Sequence, residues 1–471
     1  MALVIAATES PTSGEFLYNK AYIYRINTVA ALGGILFGFD TAIISGTIHF
    51  FSQHFRLNDL QTGWAVGCIS LGAALGALVS GRLSDRYGRK KMLLFSALLF
   101  AVTGVGTGWA NTFPLFVTFR MLSGVAIGCA ALVCPIYVAE MAPAFLRGRL
   151  VSFYQLAVTL GVLMAYLANY GLLDTGDDNW RWMFSSQSVP ALLFFFGLFF
   201  VSESPRWLIS RQQETDARQV LARIGGRAYA EAESKAIRAS FSTAIKDGWR
   251  FLFRKEVFHI VLIGIVIAFS SQLGGPLVAY APEIFKQVGV AEDSAFLQSV
   301  ILGLILCVFT FVAIATIDKA GRKRLLLSGS ALLAVDILAL ALTFYFQLSG
   351  YWALLFILVF IAGYAATIGP VTWVVLSEIF PNRIRGSAMA LATLSLWVAN
   401  FLVIGSFPVL KSQFGMPLTF GLYAVLLLLY FIFIALTVPE TKGKSLEEIE
   451  RLLTKKTSSV WPIGQEKKAN G

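Results

Sequence analysis

Twelve apolar stretches, each closed off by charged residues or by glycine and proline, dominate this chain of 471 residues. They lie near residues 24–50, 61–81, 92–111, 113–139, 150–173 and 186–202, and again near 257–285, 296–317, 325–346, 352–380, 386–410 and 417–438. An α-helix of about 20 apolar residues crosses the hydrocarbon core of a bilayer. Lipid offers a backbone amide no partner, so each run must satisfy its hydrogen bonds internally. Composition agrees: 57% of the residues are hydrophobic and 14% charged, against roughly 45–50% and about 25% in soluble domains. The expectation is an all-α membrane protein with twelve transmembrane helices.

Charge then orients the bundle. One set of loops carries Arg82, Arg86, Arg89, Lys90, Lys91, Arg147, Arg149, Lys319, Arg322, Lys323, Arg324, Arg383 and Arg385, whereas the loops opposite hold Arg56, Arg181, Lys286 and Lys411. Basic loops stay inside, so both termini are expected in the cytoplasm of a cell membrane, plasma or bacterial inner. The net charge of +11 is therefore mostly topological, and nucleic acid is not an expected partner. The first 22 residues lack the features of a cleaved signal peptide, so the first span should be retained. Cys68, Cys129, Cys134 and Cys307 sit in apolar runs without metal-ligand spacing, which gives no metal site and no disulfide framework.

The chain also repeats itself. Asp85-x-x-Gly88-Arg89-Lys90 returns 233 residues later as Asp318-x-x-Gly321-Arg322-Lys323. Glu140-x-x-Pro143-x-x-x-Arg147-Gly148 returns after 238 residues as Glu378-x-x-Pro381-x-x-x-Arg385-Gly386, and Glu203 after 237 as Glu440. Near-constant offsets mean two pseudo-symmetric six-helix halves. The expected organisation is a cytoplasmic segment 1–22, a first bundle 23–202, a charged helical connector 203–256, a second bundle 257–438 and a cytoplasmic tail 439–471. Parallel repeats around a long central loop are the layout of major facilitator transporters.

At these residues the chain resembles the sugar porter family of the major facilitator superfamily. The resemblance is carried by GGILFGFDTAIISG (33–46), GRLSDRYGRKKML (81–93), YVAEMAPAFLRGRLVSFYQ (137–155), SESPRWL (202–208), DKAGRKR (318–324), GPVTWVVLSEIFPNRIRG (369–386) and VPETKGKSLEEIE (438–450). It implies a secondary active transporter that moves a sugar or small polyol by alternating access, coupled to protons as a symporter.

Asp40 in the first span and Arg120 in the fourth are charges at bilayer depth, which are rare and usually functional. The resemblance makes them the proton-coupling pair. It makes Asp85, Arg89, Glu140, Arg147, Glu203, Asp318, Arg322, Glu378, Arg385 and Glu440 a cytoplasmic gate whose pairs close and part with the inner side. For cargo it points to Phe37, Gln155, Trp373 and Trp397, with Gln272 as the remaining amide of span 7. Aromatic faces suit the C–H face of a sugar ring, and amides its hydroxyls.

The departures from the family pattern are specific. Members carry two adjacent glutamines and a downstream Gly-Ile-Asn on span 7, whereas the ungapped positions here are Phe269, Ser270 and Gly275. Leu396 and Leu306 stand where many members have further amides. Unpaired hydroxyls are costly to bury, so a carrier for a less polar organic solute is a second reading. A sugar sensor on the same fold is a third, disfavoured by the short tail. Gly274-Gly275-Pro276 marks span 7 as breakable. Asp336 in span 9 matches no family motif. There is no nucleotide loop, HExxH or Ser/His/Asp set, so no enzyme is expected, no cofactor is called for, and the working unit is expected to be a monomer.

Overall fold

The computed structural model describes residues 18–242, 252–287, 292–348, 350–380 and 384–442, all of whose regular elements are helical. The first half contains α1 (Lys20–Phe55), α2 (Asp59–Tyr87), α3 (Arg89–Gly108), α4 (Phe113–Met141) and α5 (Ala144–Gly171). Its sixth crossing is made of α6 (Asn179–Ser186) and α7 (Ser188–Gly197) with a closing 3₁₀ turn. The connector supplies α8 (Pro205–Ser210) and α9 (Glu214–Ser242), the latter kinked at Gly225-Gly226. The second half comprises α10 (Lys255–Ser270), α11 (Gly275–Ala279), α12 (Ala281–Gln287), α13 (Glu292–Ala320), α14 (Arg322–Tyr345), α15 (Gly350–Ala366), α16 (Ile368–Ile379) and α17 (Arg385–Thr437).

Eleven helices among the described residues are long and apolar enough to span a membrane, and the last of them holds two crossings. At 1.5 Å per residue its 52 residues would extend about 78 Å, far beyond a core of about 30 Å. The chain turns back at Gly415, with φ 73° and ψ 168°, two residues before Pro417. That conformation is open to glycine, and the turn restores the count of twelve.

Local signals explain most boundaries. Asn58 and Gln61 cap α2 reciprocally through side-chain to backbone bonds of 2.9 and 3.0 Å. Gly88 (φ 104°) and Gly321 (φ 91°) make the matching tight turns into α3 and α14. Span 7 breaks at Ser271–Gly274, ahead of Pro276, because proline lacks the N–H that would continue the helix. Span 6 starts earlier than its apolar run suggests. The polar Asn-Trp-Arg-Trp segment is helical because Arg181 donates to the carbonyls of Gly108 (2.9 Å) and Ala110 (3.3 Å) and stacks on Trp180 at 4.5 Å. One side chain thus ties the start of α6 to the end of α3.

Within the first half, helices touch backbone to backbone. A Cβ added at Gly72 or Gly128 would meet carbonyl oxygens across the α2–α4 seam, and one at Gly38 or Gly161 across the α1–α5 seam. Small residues allow this approach in lipid, where dispersion replaces the hydrophobic effect between helices.

Among the described residues, the close backbone contacts between the halves cluster towards one end. Gly63 and Gly67 of α2 lie against Gly405 and Phe401 of α17, and Gly303 of α13 against Leu163 and Tyr166 of α5. The stripe of α2 that begins with Gly63, Gly67, Ser70 and Ala74 is buried, but further along it Leu78 and Asp85 are exposed. The halves are therefore closed at the end carrying the short loops, called the outer end, and splayed at the end carrying the basic loops.

Candidate functional site

Asp40 and Arg120 are among the most deeply buried residues of the protein, 0% and 1% exposed. Their helices, α1 and α4, bring Arg120 Nη1 to 2.5 Å from Asp40 Oδ1. The Ser123 hydroxyl, one turn along α4, donates to the other carboxylate oxygen. Gln187, in the bend between α6 and α7, in turn donates to Ser123 at 3.2 Å. The guanidinium also lies 5.5 Å from the Phe184 ring. A buried ion pair holds together because each charge offsets the desolvation of the other. Protonating Asp40 removes one charge and leaves the guanidinium uncompensated.

Between the halves, Phe37 of α1 and Trp397 of α17 approach with ring centroids 5.6 Å apart. One turn beyond Trp397, Asn400 donates to Gln272 Oε1 (2.9 Å) and accepts from Ser70 of α2 (2.7 Å). Gln272 donates in turn to Ser271 at 2.9 Å. The Tyr166 hydroxyl donates to the carbonyl of Val278 at 2.9 Å, a further bond from first half to second. Thus Phe37, Trp397 and Gln272 are gathered in one region. Gln155 on α5 is half-buried and Trp373 on α16 is 37% exposed, and neither makes a hydrogen bond or ring contact with that group. Asn400 and Ser70 were not singled out from sequence. Asn400 had a signal, since it falls three residues after Trp397 in LWVAN. Phe269 is 37% exposed and Leu396 buried, so neither restores an amide.

The repeated motifs build two matching networks at the basic end. In the first half, Arg89 donates from Nε and Nη2 to the two oxygens of Glu140 (3.0 and 3.1 Å) and pairs with Asp85 at 3.0 Å. Glu203 accepts the backbone N–H groups of Arg89 (3.0 Å), Lys90 (3.1 Å) and Ser204 (2.8 Å), and Ser204 Oγ donates to Glu140 at 2.5 Å. In the second half, Arg322 reaches Glu378 at 3.1 Å, Glu440 accepts from the backbone of Arg322 (2.9 Å), and Thr441 Oγ1 donates to Glu378 at 2.6 Å. An added Cβ at Gly88 or Gly321 would strike Glu203 or Glu440.

Two details correct the sequence reading. These pairs were expected to part when the basic end opens; here that end is splayed and both networks are intact. The reason is geometric, since every partner sits on a helix end of the same half. Arg147 was expected among the gate residues, but its side chain is exposed, and both Glu140 oxygens go to Arg89. The chain turns at Ala142-Pro143 between them, so helical spacing does not apply. The side chains of Asp318 and Arg385 lie outside the described residues, as does most of the 439–471 tail.

The two terminal carboxylates differ. Burial pushes Glu203 above the usual carboxylate range, against the backbone amides and Arg89, which favour its charge. Burial acts in the same direction on Glu440, but the amides of Lys442, Arg322, Lys323 and Thr441 outweigh it and hold that carboxyl low. The connector binds the first half: Trp207 Nε1 and Arg211 Nη2 donate to the Asp85 carbonyl (both 2.9 Å), and Asn19 N donates to the carbonyl of Ile224 (2.9 Å).

Residues 26–453 match the family model described as sugar (and other) transporter. The chain is 40% identical to the D-xylose-proton symporter of Escherichia coli (strain K12), over 94% of this chain and 99% of that protein. It is 37% identical to the arabinose-proton symporter of Bacillus subtilis (strain 168), over 93% and 96%. It superposes on the inward open conformation of the xylose transporter XylE from E. coli with a TM-score of 0.82 at 36% identity, covering 92% of this chain and 100% of that one. Two six-helix halves, a buried ion pair in one of them and this likeness along nearly the whole chain lead to one statement: the protein is a transporter, not an enzyme, and belongs to the sugar porter family of the major facilitator superfamily.

Proposed function

We propose that this protein is a proton-coupled symporter for a pentose or similar sugar, working as a monomer in a cell membrane with both termini in the cytoplasm. The observation that carries the reading is the buried Asp40–Arg120 pair. A facilitator has no use for a titratable carboxylate held against one guanidinium at bilayer depth, where such charges are costly. The asymmetry of Lys and Arg between loop sets supports the orientation, and the similarity to two sugar–proton symporters supports the cargo class.

Asp40 takes a proton from the outer side while the outer end is open, and the Arg120 interaction weakens. Sugar enters between the Phe37–Trp397 rings and the Gln272 amide. The outer end closes along the α2–α17 and α5–α13 seams, the basic end splays, and both leave into the cytoplasm. Asp40 then re-pairs with Arg120. The two basic-end networks keep each half rigid through this movement.

The test uses the whole protein in liposomes carrying an internal pH dye, with D-xylose, L-arabinose and D-glucose added in turn. The expected result is sugar-evoked acidification in wild type that Asp40→Asn abolishes, with sugar exchange retained. Sugar flux without proton movement in both proteins would reject symport. A response only to less polar solutes would reject sugar.

A further inference from the structure

We propose that Ser70 is a positioning residue that couples closure of the outer end to the orientation of the two amides of the sugar site, Asn400 and Gln272. The inference rests on the sugar-site reading for its cargo and on geometry alone for its gate. Ser70 is buried on the α2 face that meets α17, and its hydroxyl donates to Asn400 Oδ1 at 2.7 Å. Asn400 donates to Gln272 Oε1, and Gln272 to Ser271. The chain of bonds runs from the first half through α17 to the broken segment between α10 and α11.

Each primary amide has two N–H groups. The Asn400 amide uses one on Gln272, and the Gln272 amide uses one on Ser271, so each keeps one donor for a hydroxyl. The bridge fixes which way those donors face. When the outer end opens, α2 and α17 separate, the Ser70 bond is lost, and both amides are released to rotate. Closure of the outer end and presentation of two amide donors are thus one event. This also answers the missing span 7 glutamines: Asn400, on a neighbouring helix, supplies the second amide. Gly275 lies beside it: a Cβ there would be in ordinary contact with Asn400 Nδ2 at 3.8 Å and would crowd Ile404 Cγ1 at 3.1 Å.

The experiment places spin labels at Leu60 and Phe414, exposed by 69% and 54% near the outer ends of α2 and α17, and measures their distance distribution without sugar. Ser70→Ala and Asn400→Ala should each shift the population towards the longer, outer-open distance by about five- to tenfold, the worth of one buried hydrogen bond. The double variant should shift little beyond either single one, because both remove the same bond. Equal populations in wild type and Ser70→Ala, or fully additive shifts, would overturn the gate. D-xylose binding is then measured on the same samples. Affinity lowered in Ser70→Ala supports the positioning role, and unchanged affinity overturns it. If the sugar-free shift appears but no sugar binds to wild type, the gate stands and the cargo reading falls.

Discussion

The two halves of the protein are alike at their basic ends and unlike in the membrane. Each end repeats an arginine on a glutamate, a second carboxylate receiving backbone amides, and a hydroxyl locking the first glutamate: Ser204 in one half, Thr441 in the other. At bilayer depth the resemblance stops. The first half holds the Asp40–Arg120 pair, and the second bends at Ser271–Gly274 and supplies Gln272 and Asn400. What is repeated ties helix ends within a half; what is not repeated is what the proposed function divides between proton and cargo. Alternating access is rigid-body rocking of one half against the other around the site between them.

The largest effect should come from unbalancing the buried pair. Arg120→Gln leaves Asp40 without its counter-charge and should cost about 3–5 kcal/mol. The Asp40→Asn/Arg120→Gln double variant should recover most of that in thermal unfolding of the purified protein. A double variant no more stable than the single one would mean that the pair is not an electrostatic unit.

How much of this contrast was readable beforehand follows from the physics of each residue. Spans and halves were legible because lipid forces a long apolar run on every crossing, and because charged motifs survive duplication. Asp40 and Arg120 were legible as charges where charge is expensive. Ser70 and Asn400 were not, since a neutral polar residue in a helix usually bonds to its own backbone and these two are 330 positions apart. Arg147 belongs to the repeated motif, but the turn at Ala142-Pro143 leaves it exposed on the next helix. Arg181 was read as loop because its hydrogen-bond acceptors belong to another helix.

The ends should respond in parallel to backbone strain. Gly88→Ala and Gly321→Ala place a side chain at positive φ and against a carboxylate, at a cost of about 1–3 kcal/mol each, read as lowered melting temperatures. A large loss in one half only would break the equivalence. The Arg89–Glu140 pair is the more buried, with side chains 11% and 10% exposed against 14% and 24% for Arg322–Glu378. Glu140→Gln should therefore destabilise more than Glu378→Gln, by about 1 kcal/mol, in the same measurement.

The smallest and sharpest difference is between Glu203 and Glu440. A carboxyl held below its usual value adds stability at neutral pH and loses it as pH falls through that lowered value; one held above favours its neutral form. Glu440→Gln should thus lower the melting temperature at pH 7 and have less effect on acidification towards pH 4. Glu203→Gln should cost less at pH 7, since burial already opposes that charge. Identical pH profiles for the two variants would show the ends to be equivalent here too.

The reversal at Gly415 has a consequence of its own. With only a glycine turn between its last two crossings, the protein offers little chain there for a protease to cut or an inserted tag to occupy. A label on a single side chain such as Phe414 leaves the turn intact, but an inserted tag at the outer end belongs in another connection, because lengthening this one would unhinge two spans at once.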